Sequence, residues 1–146
     1  MLFKFNWVLI NELAVSSAPR NEEFLAHIKK QGIKSILTLC SEKEVNLPEN
    51  ISIEFIHKRI ILPDHSYKED LKLNDIKKSL DMISELIEYG PLLVHCYAGV
   101  ERSPLICIAW LIYKKGYDID TSLRYLMQVN PGTNPLPKQL LLLKDL

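Results

Sequence analysis

The stretch from Leu92 to Pro104 restricts the fold more than any other. Leu92 to His95 is a short apolar run, bounded by Gly90-Pro91 on one side and by Cys96-Tyr97-Ala98-Gly99-Val100-Glu101 on the other. Arg102-Ser103-Pro104 then leads into Leu105 to Tyr113, which is apolar nearly all round. The first run is too short for a helix and reads as a buried strand. Pro104 falls where a helix begins, a place at which its missing N–H costs little, and the residues after it suit a central helix. A buried strand joined to a buried helix needs layers packed on both sides, so the spacing predicts an α/β domain.

The rest of the chain alternates in the same way. Trp7 to Ile10 and Leu13 to Val15, parted by Asn11-Glu12, read as a small hairpin at a sheet edge. Asn21-Glu22-Glu23 gives an acidic first turn, and Phe24, Leu25 and Ile28 a helical stripe that stops at Gly32. Ile33 to Cys40 has the length of a buried strand, Ser41 to Asn50 is a polar loop, and a second strand is expected from Ile51 toward Ile60. Leu62-Pro63-Asp64-His65-Ser66 breaks the pattern as a turn. From Glu69 to Tyr89 the residues Ile76, Leu80, Ile83 and Ile87 mark an amphipathic helix, with Glu69 and Asp70 in its start.

Gly116 ends the central helix, and Asp118 or Asp120 caps the next, which carries Leu123, Leu126 and Met127. Asn130-Pro131-Gly132 closes that helix, and a last one follows Pro137. The expected architecture is one domain over residues 1–146, with a central, largely parallel (mixed) sheet of about five strands and helices on both faces. In such sheets ligands bind beyond the carboxyl ends of the strands, the edge reached by both Cys96 and Asp64.

At that edge the residue types point to one chemistry. Gly99 lets the loop turn tightly, so that backbone N–H groups from Tyr97, Ala98, Gly99, Val100, Glu101 and Arg102 surround an anion, with the positive end of the following helix behind it. These surroundings favour the thiolate of Cys96, which makes it a nucleophile. Arg102 offers a planar fork for two oxygens of a phosphate and stabilises charge in the transition state. Ser103 can donate its hydroxyl to the sulfur and help Cys96 depart. Asp64, on the neighbouring loop, is the candidate to protonate the leaving oxygen, with Asp70 and Glu69 behind it. His95 ends a buried strand and reads as a supporting residue.

Composition limits the partners. Lysine plus arginine equals aspartate plus glutamate at 18 each, so no global field recruits nucleic acid or an acidic membrane. The chain has three cysteines, an odd number without framework spacing, which argues for reduced thiols and a cytoplasmic setting. Met1 to Ile10 is apolar, but Lys4 and Asn6 interrupt it, so neither a secretory leader nor membrane insertion is expected. Cys40 ends a strand beside the one that feeds Cys96. It reads either as a reduced core cysteine or as a redox partner for Cys96.

The run His95-Cys96-x-x-Gly99-x-x-Arg102-Ser103 resembles the signature of cysteine-dependent protein tyrosine phosphatases, most closely their small atypical dual-specificity branch. Trp7-Val8-Leu9, Leu13-Ala14 and Pro19-Arg20 are similar to the start of the smallest single-domain members, so the similarity spans nearly the whole chain. The resemblance implies a dual-specificity phosphatase-like fold with Cys96 as nucleophile, Arg102 as phosphate clamp and Asp64 as acid and later base. His95 would orient the loop, and neither metal nor cofactor is needed. Asn134-Pro135 and Gln139-Leu140 are similar to the closing motif, without the glutamate and threonine found there in close relatives. Glu101 is a second departure. It adds negative charge at the pocket mouth and is expected to disfavour polyphosphoinositides.

The expected substrate is a phosphorylated protein, through phosphotyrosine and also phosphoserine or phosphothreonine, or a small phosphomonoester, turned over by a monomer. Two alternatives stay open: a phosphoprotein-binding module without turnover, and the same chemistry on a phospholipid, nucleotide or RNA 5′ phosphate.

Overall fold

The computed structural model describes residues 2–146; Met1, where the leader-like stretch begins, lies outside the described residues. Five strands form one sheet: β1 (Phe5–Leu9), β2 (Leu13–Ser16), β3 (Ser35–Thr38), β4 (Ile56–Arg59) and β5 (Leu92–His95), in the order β1-β2-β5-β3-β4. Only the β1–β2 hairpin is antiparallel; β2–β5, β5–β3 and β3–β4 are parallel. The helices are α1 (Glu22–Lys30), α2 (Ile51–Glu54), α3 (Leu73–Leu86), α4 (Arg102–Lys115), α5 (Ile119–Val129) and α6 (Pro137–Leu142).

The strand period of two sorts the core into two layers. Leu13, Val15, Leu37, Leu92 and Val94 pack with Ile76, Leu80, Ile83, Leu105, Ile108 and Leu126, which belong to α3, α4 and α5. Their neighbours Ala14, Ile36 and Leu93 point the other way, onto Leu25 and Ile28 of α1 and onto Ile51 and Phe55. Both faces of β2, β3 and β5 are thereby covered, which is why these strands read as apolar runs rather than alternations. Register places Thr38 beside His95 and Ser16 on its other side, so three strands end together beneath the Cys96 loop.

Most expected elements are present, with three corrections. The strand from Ile51 toward Ile60 is half helix: α2 occupies Ile51–Glu54 and only Ile56–Arg59 is strand. One helical turn buries Ile51 and Phe55 and leaves Ile53 outside, 86% exposed, whereas an extended chain would put all three on one face. Helix α3 starts at Leu73, with Asp75 accepting from the Lys72 N–H at 2.9 Å, so Glu69 and Asp70 lie in the loop before it. The first strand runs over Phe5–Leu9 rather than from Trp7 to Ile10, with an irregular register between Trp7 and Leu9. Gly116, at φ 72, ends α4, and Asp118 caps α5 by accepting from the Thr121 N–H at 2.7 Å.

Candidate active site

The loop between β5 and α4 is held from outside by its carbonyls. The Cys96 oxygen accepts from His95 Nδ1 at 2.9 Å, the Tyr97 oxygen from the Ala18 N–H at 3.0 Å, the Gly99 oxygen from Asn130 Nδ2 at 3.1 Å and the Val100 oxygen from the Asn134 N–H at 2.8 Å. Since C=O and N–H point opposite ways across a peptide plane, the N–H groups of Tyr97, Ala98, Val100 and Glu101 face the hollow of the loop. Gly99 makes the turn at φ 72, and a Cβ there would stand 2.9 Å from backbone atoms of Ser16 and Ser17. Only glycine fits so close an approach.

His95 is fully buried, and burial pushes its imidazole down to about 4, so it is neutral. The Cys96 carbonyl can only accept, which assigns the proton to Nδ1 and leaves Nε2 to accept from the Thr38 hydroxyl at 2.7 Å. The same hydroxyl lies 2.7 Å from His57 Nε2 on β4. A chain of hydrogen bonds thus runs from β4 through β3 to the backbone of Cys96.

Cys96 is 2% exposed, and its sulfur lies 3.2 Å from the Ser103 hydroxyl. Arg102, also 2% exposed, is more tightly engaged than the sequence suggests. Nη1 donates to the Leu62 carbonyl at 3.0 Å and to Glu44 Oε2 at 3.1 Å, and Nη2 donates to Glu44 Oε1 at 2.7 Å. Glu44 therefore grips the end of the guanidinium and leaves the Nε–Nη2 edge, with one N–H on each nitrogen, for another ligand. Asp64 Oδ2 stands 3.8 Å from Nη2 at that edge.

Glu44 was not singled out from the sequence. It also accepts from the Ser41 N–H at 2.9 Å and from the Tyr67 hydroxyl at 2.8 Å. Burial works to raise its carboxyl, but the hydrogen bonds from Arg102, Ser41 and Tyr67 prevail and hold it at about 2. Burial likewise opposes the charge on Arg102, and the Glu44 pair overcomes it and raises its pKa. Asp64 accepts from Ser66 through N–H at 2.8 Å and Oγ at 2.5 Å. Against the raising effect of burial, these bonds and Arg102 lower the Asp64 carboxyl.

A cleft of about 430 Å³ opens over this arrangement, lined by Asp64, His65, Cys96, Tyr97, Ala98, Val100, Glu101, Arg102, Asn134 and Leu136. The structure brings together the expected nucleophile, clamp, hydroxyl and acid. Gly99 shapes the loop from behind, and Tyr97 lies beneath Arg20, whose guanidinium carbon is 4.7 Å from the ring centroid. Asp70 is elsewhere, paired with Lys138 at 2.6 Å on the surface. Cys40 is buried among Ala18, Val45 and Tyr97, whereas Cys96 packs in the layer containing Leu39; burial pushes the Cys40 thiol up to about 11. Besides Glu44, the sequence reading missed Thr38 and Asn130, whose polar types inside or after apolar segments were the available signal.

The fold and the site together define an α/β domain that presents a thiol, in a loop whose carbonyls turn outward, to a cleft at the carboxyl edge of its sheet. The chain belongs to the family described as dual specificity phosphatase, catalytic domain, whose model matches residues 15–145. It is similar to dual specificity protein phosphatase 5 of Rattus norvegicus, 32% identical over 114 residues that cover 77% of this chain and 27% of that protein. It is also similar to the phosphatidylglycerophosphate phosphatase PTPMT2 of Arabidopsis thaliana, 22% identical over 134 residues covering 91% of this chain and 59% of that protein. The chain thus spans less than two thirds of either relative. Among solved structures, Tk-PTP in its active form shares the fold with a TM-score of 0.83 at 21% identity, over 97% of this chain and 95% of that one.

Proposed function

We propose that this chain hydrolyses phosphate monoesters on proteins, phosphotyrosine and also phosphoserine or phosphothreonine, through a cysteinyl-phosphate intermediate. The observation that carries the reading is the Nε–Nη2 edge of Arg102 that Glu44 leaves open, beside a sulfur that has Ser103 at 3.2 Å and a loop whose carbonyls turn outward. A phosphoryl group fits there with two oxygens on Arg102 and the rest on the loop. The Cys96 thiolate attacks phosphorus, the bond from phosphorus to the ester oxygen breaks, and Asp64 gives that oxygen its proton. Water then attacks the thiophosphate, Asp64 takes its proton, and the sulfur leaves as a thiolate that accepts from Ser103 O–H. His95 holds the Cys96 backbone throughout.

The test is turnover of an aryl phosphate in the presence of chelator, for wild type beside Cys96→Ser and Asp64→Ala. Chelator-resistant release of the phenol, abolished in Cys96→Ser, supports the reading. Binding of phosphate without release of phenol refutes it in favour of a binding module. A second substrate class has specific support: the similarity to PTPMT2 runs over 91% of this chain, so a phospholipid phosphate belongs in the same assay. Faster turnover of the lipid than of any phosphopeptide would move the substrate from protein to membrane.

A further inference from the structure

Glu101 has no task in the steps above, yet it joins three segments around the cleft. Its side chain is 13% exposed, and its two oxygens face different partners. Oε1 lies 2.9 Å from His65 Nδ1, and Oε2 accepts from Gln139 Nε2 at 3.1 Å. His65 follows Asp64 directly in the loop after β4. Gln139 is 3% exposed in α6, and its own oxygen accepts from the Leu136 N–H at 2.8 Å, so it is a fixed donor. The opposite flank of the Asp64 loop is tied by Tyr67 to Glu44. His65 and Tyr67 thus hold the loop on the far side of Asp64 from the Leu62 carbonyl, which accepts from Arg102 at 3.0 Å.

We propose that Glu101 is a positioning residue for the acid step: braced by Gln139, its carboxylate clasps His65 and so fixes the loop on which Asp64 reaches the leaving oxygen. The inference rests on the phosphatase reading. A carboxylate suits the task because it accepts on both oxygens at once, one from the acid loop and one from α6. Placement matters at this scale, since a shift of about 1 Å in a reacting group costs on the order of 10²-fold in rate. Among the described residues Asp64 makes no hydrogen bond to the phosphate loop; Arg102 Nη2 stands 3.8 Å from its Oδ2.

The readout that separates positioning of the acid from general support of the loop is dependence on the leaving group. Rates are compared for an activated aryl phosphate, whose phenol needs little help from a proton, and for phenyl phosphate, whose phenol needs much. Glu101→Gln should lower kcat on phenyl phosphate about tenfold and leave the activated ester within about twofold. In an Asp64→Asn background the added Glu101→Gln change should cost nothing further. His65→Ala alters an exposed residue from the other end of the contact and should reproduce the selective loss, even where Glu101→Gln does not fold. Equal loss on both esters, or a loss that persists in the Asp64→Asn background, overturns the proposal. A wild type with no Cys96-dependent turnover of either ester removes the phosphatase reading itself, a result distinct from equal loss on the two esters in an active enzyme.

Discussion

Replacing Glu44 with glutamine keeps the shape of the side chain and removes the charge from the end of Arg102. Glutamine retains one acceptor for the guanidinium and turns an NH₂ group toward the other N–H, so one of two hydrogen bonds becomes a contact between donors. The displacement of the Glu44 carboxyl from 4.5 to about 2 corresponds to roughly 3 kcal/mol of interaction in the charged form. Its solvent-facing edge reduces the recoverable part to about 1–2 kcal/mol. For a domain of this size that is a fall of about 3–8 °C in Tm. Because the folded pKa is depressed, the stabilisation is complete above about pH 4.5 and fades as pH falls toward 2; the gap between wild type and variant should therefore be constant near neutrality and close in acid. Kinetically, the Nε–Nη2 edge loses its fixed orientation, and kcat/KM on an aryl phosphate should fall about tenfold or more. Thermal unfolding from pH 3 to 8 and steady-state kinetics measure both effects. A variant within about 1 °C and about twofold of wild type would refute the idea that Glu44 holds the clamp.

Gly99→Ala places a Cβ 2.9 Å from the Ser16 and Ser17 backbone at φ 72, so a loss of about 2 kcal/mol or more in a urea titration and a collapse of turnover are expected; normal activity would refute the close approach. His95 is pushed down to about 4, so its neutral form supports the fold above about pH 6.5 and that support fades as pH falls toward 4, by up to roughly 3 kcal/mol. A urea midpoint unchanged between pH 7 and 4 would contradict a neutral buried imidazole. Cys40 is held as a thiol at about 11, chiefly by burial, which slows its capture of an oxidised Cys96; Cys40→Ser should recover from mild peroxide with thiol as fully as wild type, and a variant that fails to recover would make Cys40 the redox partner. Glu101 beside the cleft should make a polyphosphoinositide a poorer substrate than a phosphopeptide, and the reverse order of kcat/KM would contradict it.

The parts of the fold that were legible are those where a local signal and the tertiary environment agree. Leu92 to His95 reads as a buried strand because both its faces are in fact covered, and Gly116 and Asp118 end and begin helices by backbone rules that need no partner. The stretch from Ile51 failed for the opposite reason. Its β-branched residues favour a strand, and only the burial of Ile51 and Phe55 against α1 selects a helical turn that exposes Ile53. In the site, Cys96, Gly99, Arg102 and Ser103 were legible because one loop fixes their spacing. Glu44 was not, since nothing in Ser41 to Asn50 marks one glutamate among polar neighbours; its role exists only when the loop folds over Arg102. Thr38 and Asn130 are of the same kind, polar groups whose partners lie on other elements.

Two influences lower the Asp64 carboxyl against its burial, the hydrogen bonds from Ser66 first and the charge of Arg102 after them. Glu44 occupies one edge of the guanidinium, and Asp64 Oδ2 stands 3.8 Å from Nη2. A proton donor held below its ordinary pKa would be unarmed at neutral pH. On the proposed mechanism, a phosphoryl dianion at the Nε–Nη2 edge would take the attraction of Arg102 for itself and bring like charge up to Asp64, and each effect would favour the protonated carboxyl. Glu44 differs in keeping its direct pair with the far end of Arg102, beside its bonds from Ser41 and Tyr67. In the mechanism we propose, two carboxylates that share one arginine would thus be separated in function by where they stand: Glu44 would stay ionised as a fixed support, and Asp64 would gain its proton when a substrate is bound.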